Sequence, residues 1–206
     1  MDVNIWNGYG NGGNIFKSSE KKASLKKILN YFKTSWFYRQ TPKGFMPLRL
    51  YSHAPDFTLQ TAENETFQLR EALKDSQILL FFYPKAFTAG CSAEVCEFRD
   101  HYPFFSERNI RLVGISHDPE DTQARFAKKY QLPFTLLSDP MRTVCRLYDA
   151  VYPFGLLTKR VSYFINQEGI ITIAYENLFK PEVHLMQMKN RILSQENNQE
   201  KVKTSL

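Results

Sequence analysis

Apolar and polar positions along this chain repeat in two periods, and the switches between them mark out its elements. Near the start, Leu25, Ile28, Leu29, Phe32 and Trp36 recur at three- and four-residue intervals. That narrow stripe predicts a helix over about residues 21–37. Thr41-Pro42-Lys43-Gly44 stops it, and Pro47 marks a linker. Beyond the linker, 54–59 and 66–69 read as short strands, followed by a short helix at 70–73. The continuous apolar run Ile78-Leu79-Leu80-Phe81-Phe82-Tyr83 has the length of a strand buried on both faces. Pro84 ends the run, Thr88 to Gly90 form a turn, and a helical pattern covers about 90–108. A strand is predicted at 110–116 and a helix at 119–130, with Pro119 early, where a missing N–H costs least. Then come a strand at 134–137, a helix at 142–149, a hairpin of 161–166 with 170–175 around Gln167-Glu168-Gly169, and a helix at 181–193. Alternating strands and helices with one hairpin predict an α/β sandwich of three layers on a mixed sheet.

The domain limits follow from the same pattern. Residues 51–195 form one domain, and a polar tail at 196–206 is expected to fray. Residues 1–50 form a basic extension whose first twenty residues, rich in Gly, Asn and Ser, read as disordered.

Composition changes this picture in three ways. The net charge of +6 is not spread evenly: residues 1–50 carry nine Lys/Arg against two acids, while the other 156 carry 18 against 19. A near-neutral globular part argues against nucleic-acid binding. The basic arm with its stripe Leu25, Ile28, Leu29, Phe32 and Trp36 suits an anionic membrane surface, a partner's groove or a plastid import segment. Three cysteines are too few for a disulfide scaffold and point to a reducing compartment or to thiol chemistry. No apolar run reaches the ~20 residues of a membrane span, and the start, Met1-Asp2-Val3-Asn4, does not look like a secretory signal. The expected placement is cytoplasmic, with plastid import or peripheral membrane attachment as the alternatives.

The candidate chemistry sits where the apolar run meets the helix. Cys91 falls in the first turn, and the free N–H groups and dipole of a helix N-terminus favour a thiolate. Cys96 lies five residues on, a rotation of ~500° with ~7.5 Å of rise, which sets the two side chains ~140° apart. A disulfide needs Cα atoms within ~7 Å and facing side chains. The pair therefore cannot bond while the helix is intact. Cys145 falls on a short amphipathic helix and reads as core. Cys-x4-Cys without a second Cys/His pair is no zinc set.

Pro84-Lys85-Ala86-Phe87-Thr88-Ala89-Gly90-Cys91 fits the Pro-x-x-x-Thr-x-x-Cys signature of the peroxiredoxins. Its continuation, Ser92 to Asp100 with Cys96 at the fifth place, resembles the Q-type or bacterioferritin-comigratory subfamily. The likeness extends to Ala54-Pro55-Asp56-Phe57, to Leu132 through Asp139 and to Arg160 through Asn166, and covers about residues 50–193. It implies a thioredoxin-like fold and a thiol-dependent peroxidase acting on hydrogen peroxide and organic hydroperoxides without cofactor or metal. By the same resemblance Cys91 is the peroxidatic thiol and Cys96 resolves it as a Cys91–Cys96 disulfide, which thioredoxin or a similar dithiol protein recycles. Thr88, Pro84 and Arg160 would complete the site, with Glu94 orienting Arg160. If Cys96 resolves, the helix must unwind from Gly90 to about Phe98 in each cycle. A monomer is expected. Ala89 and Ser92 stand where many members carry proline and threonine, and Ser162 where threonine is common. The competing readings are a peroxidase resolved by an external thiol, and a membrane- or partner-docked peroxide sensor that relays a disulfide. A Cys-x-x-Cys oxidoreductase lacks its motif.

Overall fold

The structure, a computed structural model, describes residues 50–204 except 154, 156 and 179. The predicted N-terminal helix and its apolar stripe lie outside the described residues.

The central element is β3, Gln77–Phe82. It pairs in parallel with β4 (Ile110–Ser116) and antiparallel with β6 (Val161–Ile165), so that Leu80 lies opposite Val113 on one side and Tyr163 on the other. With β5 (Thr135–Ser138), β7 (Ile171–Glu176), β1 (Thr58–Thr61) and β2 (Thr66–Gln68), these strands form one mixed seven-stranded sheet in the order β2-β1-β5-β4-β3-β6-β7. An interior strand covered on both faces has no solvent-facing side, which is why its sequence is an unbroken apolar run.

Successive side chains of β3 feed two cores. Ile78, Leu80 and Phe82 join Leu69 and Leu73 of α1 (Leu69–Asp75) and Val144 and Cys145 of α5 (Thr143–Leu147). Leu79, Phe81 and Tyr83 face the other way. They meet Val95 and Phe98 of α2 (Ala89–Asp100), Phe105 of α3 (Tyr102–Ser106), Phe126 of α4 (Glu120–Tyr130) and Leu185, Met188 and Ile192 of α6 (Pro181–Thr204). Each such side chain contributes about 1.5–3 kcal/mol when fully buried. Gly114 at the middle of β4 makes room for this layer, because a Cβ there would lie 2.6 Å from the Phe81 ring and 2.7 Å from Leu136.

The sandwich and its mixed sheet are as expected; several boundaries differ, four of them for a physical reason. The helix predicted over 90–108 is two helices that break at His101, since Pro103 has no N–H to give to the turn before it and sits instead in the first turn of α3. The first strand begins at Thr58, not at Ala54. Pro55 cannot donate to a ladder, and the Ala54 N–H binds the Gly169 carbonyl at 2.8 Å. The helix at 142–149 shrinks to 143–147, closed at both ends by the left-handed residues Arg142 (φ 52°) and Asp149 (φ 49°). The last helix runs to Thr204, through the stretch expected to fray. Beyond Leu193 it has no Gly or Pro and carries Gln, Glu and Lys, which favour helix, and Arg108 reaches Glu196 at 3.2 Å while Gln195 donates to the Thr172 carbonyl at 3.1 Å.

Candidate active site

The path from β3 to α2 builds the site. Tyr83 continues the ladder through its N–H to the Ile115 carbonyl, and half-buried Pro84 then turns the chain. The loop is held from below by a buried polar network. The Ala86 N–H donates to Asp118 Oδ2 at 2.7 Å, and Ser116 Oγ donates to the same oxygen at 2.6 Å. Gln123 Nε2 donates to Ser116 Oγ and to the Leu137 carbonyl, both at 2.9 Å, and the Tyr83 hydroxyl donates to Gln123 Oε1. Asp118 and Gln123 were not identified from sequence. Polar residues this deeply buried need partners, but theirs come from other strands.

Thr88 is the N-cap residue of α2, with φ −75° and ψ 150°. Its hydroxyl donates to the Lys85 carbonyl at 2.9 Å and does not cap the helix, and no acidic residue sits in the first turn. Ala89 occupies the first helical position, where proline is favoured and alanine equally suits the backbone. The N-terminal N–H groups of α2 are thus left without a side-chain partner around Cys91, which is 1% exposed.

Arg160 enters from the residue before β6, 3% exposed, and its guanidinium fork reaches three partners. Nη2 donates to Cys91 Sγ at 3.4 Å, Nη1 pairs with Glu94 Oε2, and Nε donates to the Leu178 carbonyl at 3.4 Å. Glu94 is one turn along α2 from Cys91, so both point at the same guanidinium. Burial pushes the Glu94 carboxyl up to about 7 although Arg160 pulls it down. Its other oxygen, Oε1, faces His184 Nδ1 at 3.7 Å. His184 is fully buried, and burial followed by the Arg160 charge depresses it to about 3, so it is neutral.

The fold therefore brings together Cys91, Arg160 and Glu94, with Thr88 and Pro84 on the adjoining loop. It does not bring Cys96 to Cys91. Both are free thiols on an intact α2, and Cys96 is only half-buried. Cys145 belongs to the core on the opposite face of the sheet, where burial and then the Asp139 carboxylate push its thiol up, away from reactivity. His184 is the residue that sequence reading missed. The signal available was its place on the buried face of α6, four and eight residues before Met188 and Ile192.

A buried thiol in the first turn of a helix, in contact with an arginine that also pairs with a buried glutamate, is an arrangement that can stabilise a thiolate. Residues 51–174 match the AhpC/TSA family. Peroxiredoxin Q from the chloroplast of Sedum lineare is 38% identical over 135 residues, 65% of this chain and 72% of that protein. A relative of the bcp type from Coxiella burnetii is 37% identical over 153 residues, 71% of this chain and 100% of its own length. Other chloroplastic peroxiredoxins Q are matched over as little as 60% of their length. Among solved structures, the peroxidoxin BcpB of Mycobacterium tuberculosis superposes with a TM-score of 0.64 at 32% identity, over 68% of this chain and 92% of that one. The chain belongs to the AhpC/TSA family, as a thiol-dependent peroxidase of the peroxiredoxin Q (bacterioferritin-comigratory) type. Among the described residues no helix is long and apolar enough to cross a membrane.

Proposed function

We propose that this chain reduces hydrogen peroxide and small organic hydroperoxides through Cys91, with Cys96 as the resolving thiol. The observation that carries the reading is the 3.4 Å contact of Arg160 Nη2 with the buried Cys91 sulfur at the start of α2. The Cys91 thiolate attacks the terminal peroxide oxygen, the O–O bond breaks, and the alkoxide or hydroxide leaves and takes up a proton. Cys91 becomes a sulfenic acid. The guanidinium stays charged at any working pH and can hold both the sulfur and the departing oxygen. Thr88 Oγ, with its proton on Lys85, has lone pairs left for the hydrogen of an incoming hydroperoxide. Pro84 offers no N–H to the sulfur. Cys96 then attacks the sulfenic sulfur and expels water, which forms the disulfide.

That second step requires α2 to open, because five helical residues keep the thiols apart. Membership of the family implies a peroxide substrate and a thioredoxin-type dithiol as reductant, which would meet the disulfide on the opened segment. We take the protein to act as a monomer in the cytoplasm; the chloroplastic plant relatives are compatible with plastid import as the alternative.

The test is steady-state peroxide consumption with thioredoxin, its reductase and NADPH. Wild type should turn over many equivalents and Cys91→Ser none, while Cys96→Ser should stall after about one. Undiminished cycling by Cys96→Ser would transfer resolution to an external thiol, and a wild type that itself stalls would favour the sensor reading.

A further inference from the structure

We propose that His184 is a positioning residue for this peroxidase site, turning an Nδ1–H toward Glu94 Oε1 and so keeping Glu94, and through it Arg160, in line with Cys91. The role rests on the reading of Cys91 as the peroxidatic thiol.

Glu94 Oε1 is buried and has no hydrogen-bond partner among the described residues. A buried carboxylate oxygen without a donor is costly, and the polar atom that faces it is His184 Nδ1 at 3.7 Å. That nitrogen also lies 3.1 Å from Ser162 Oγ, whereas Nε2 is buried without a partner. The two neutral tautomers are not equivalent here. A proton on Nε2 would bury an orphaned N–H and turn a bare nitrogen toward a carboxylate oxygen. A proton on Nδ1 points a donor between Ser162 Oγ and Glu94 Oε1 and leaves Nε2 as an unused acceptor, the cheaper defect. The surroundings therefore assign the Nδ1–H form.

Every element packed on the ring contributes to fixing it. Glu94 faces it from α2, Arg160 and Ser162 from the start of β6, and the Tyr175 ring from β7, edge-on at 4.7 Å. Arg191 of its own helix sits over the Tyr175 ring, 5.3 Å from its centroid. A neutral donor suits this place. A cation would draw Glu94 away from Arg160, and an apolar residue would leave Oε1 alone.

The test compares His184→Asn with His184→Gln. An asparagine amide nitrogen overlays Nδ1 and a glutamine amide nitrogen overlays Nε2, so the two neutral polar variants place their donors at different ends of the ring. Two second-order rate constants of Cys91 are measured by stopped flow in each folded variant, on the alkaline plateau where the thiolate is fully formed, one with hydrogen peroxide and one with iodoacetamide, whose leaving iodide needs no guanidinium donor. His184→Gln should lose on the order of ten- to a hundred-fold with peroxide and little with iodoacetamide, while His184→Asn should retain most of both. Nitrogen-15 NMR of labelled histidine should show a neutral Nδ1–H ring that does not titrate between pH 5 and 8. Equal peroxide rates in wild type and His184→Gln, parallel losses in both reagents and both variants, or an Nε2–H ring would each overturn the proposal while leaving the peroxidase reading intact. A wild-type Cys91 no faster with peroxide than a free thiol would overturn that reading and this role together.

Discussion

At the scale of single residues, the site stacks two buried titratable groups with opposite habits, Glu94 and His184. Burial raises the Glu94 carboxyl from its ordinary 4.5 to about 7, against the pull of Arg160. Its proton-linked stability is therefore present below pH 4.5 and lost as the pH rises through about 7. His184 is depressed from 6.5 to about 3, so its contribution is present above pH 6.5 and lost as the pH falls toward 3. Between pH 4.5 and 6.5 the two slopes oppose each other. His184→Asn removes one of them. Urea unfolding should then show the stability difference between wild type and variant shifting in favour of wild type as the pH rises from 5 to 7. A difference that stays constant across that range would mean that His184 is not held neutral by its surroundings. Cys91 and its motif were legible at this scale because they are contiguous. His184 and Gln123 were not, because they act through partners far along the chain. Arg160 was found only through a resemblance, since its contact with Cys91 spans 69 positions.

At the scale of elements, β3 and the hairpin β6–β7 were legible because an apolar run and a Gly-centred turn state their structure locally. Gly169 has φ 77°, and Asn166 Oδ1 accepts the Ile170 N–H at 2.7 Å. The split of the long helix at His101 was missed by weighing apolar period over Pro103. Helix α2 carries the main energetic question. Its Val95 and Phe98 are fully buried, and the Phe98 ring stacks on Phe81 with centroids 4.7 Å apart. Unwinding through Phe98 would forfeit about 1.5–3 kcal/mol for each of these side chains, so an opening that frees Cys96 but keeps Phe98 docked is favoured. Val95→Ala should lower stability by about 1–2 kcal/mol and speed formation of the Cys91–Cys96 disulfide after one equivalent of peroxide, followed by acid quench and counting of free thiols. If disulfide formation slows or stays unchanged, opening of α2 does not limit resolution.

At the scale of the whole molecule, the order of strands and helices in sequence was enough to predict a mixed sheet between two helical layers. The pairing order β2-β1-β5-β4-β3-β6-β7 was not legible, because β5 and β6 reach their neighbours across intervening helices and register depends on packing. That order sets the first turn of α2, which follows the central β3 and carries Cys91, beside Arg160 just before the neighbouring β6. The central claim is that this juxtaposition makes Cys91, and no other thiol of the chain, the one that peroxide oxidises. The most direct measurement is to give Cys96→Ser one equivalent of hydrogen peroxide in the presence of dimedone and locate the adduct by peptide mass spectrometry. The adduct is predicted on Cys91 in near-stoichiometric yield, with Cys145 unmodified. An adduct on Cys145, or none on Cys91 while the wild type still consumes peroxide, would contradict it.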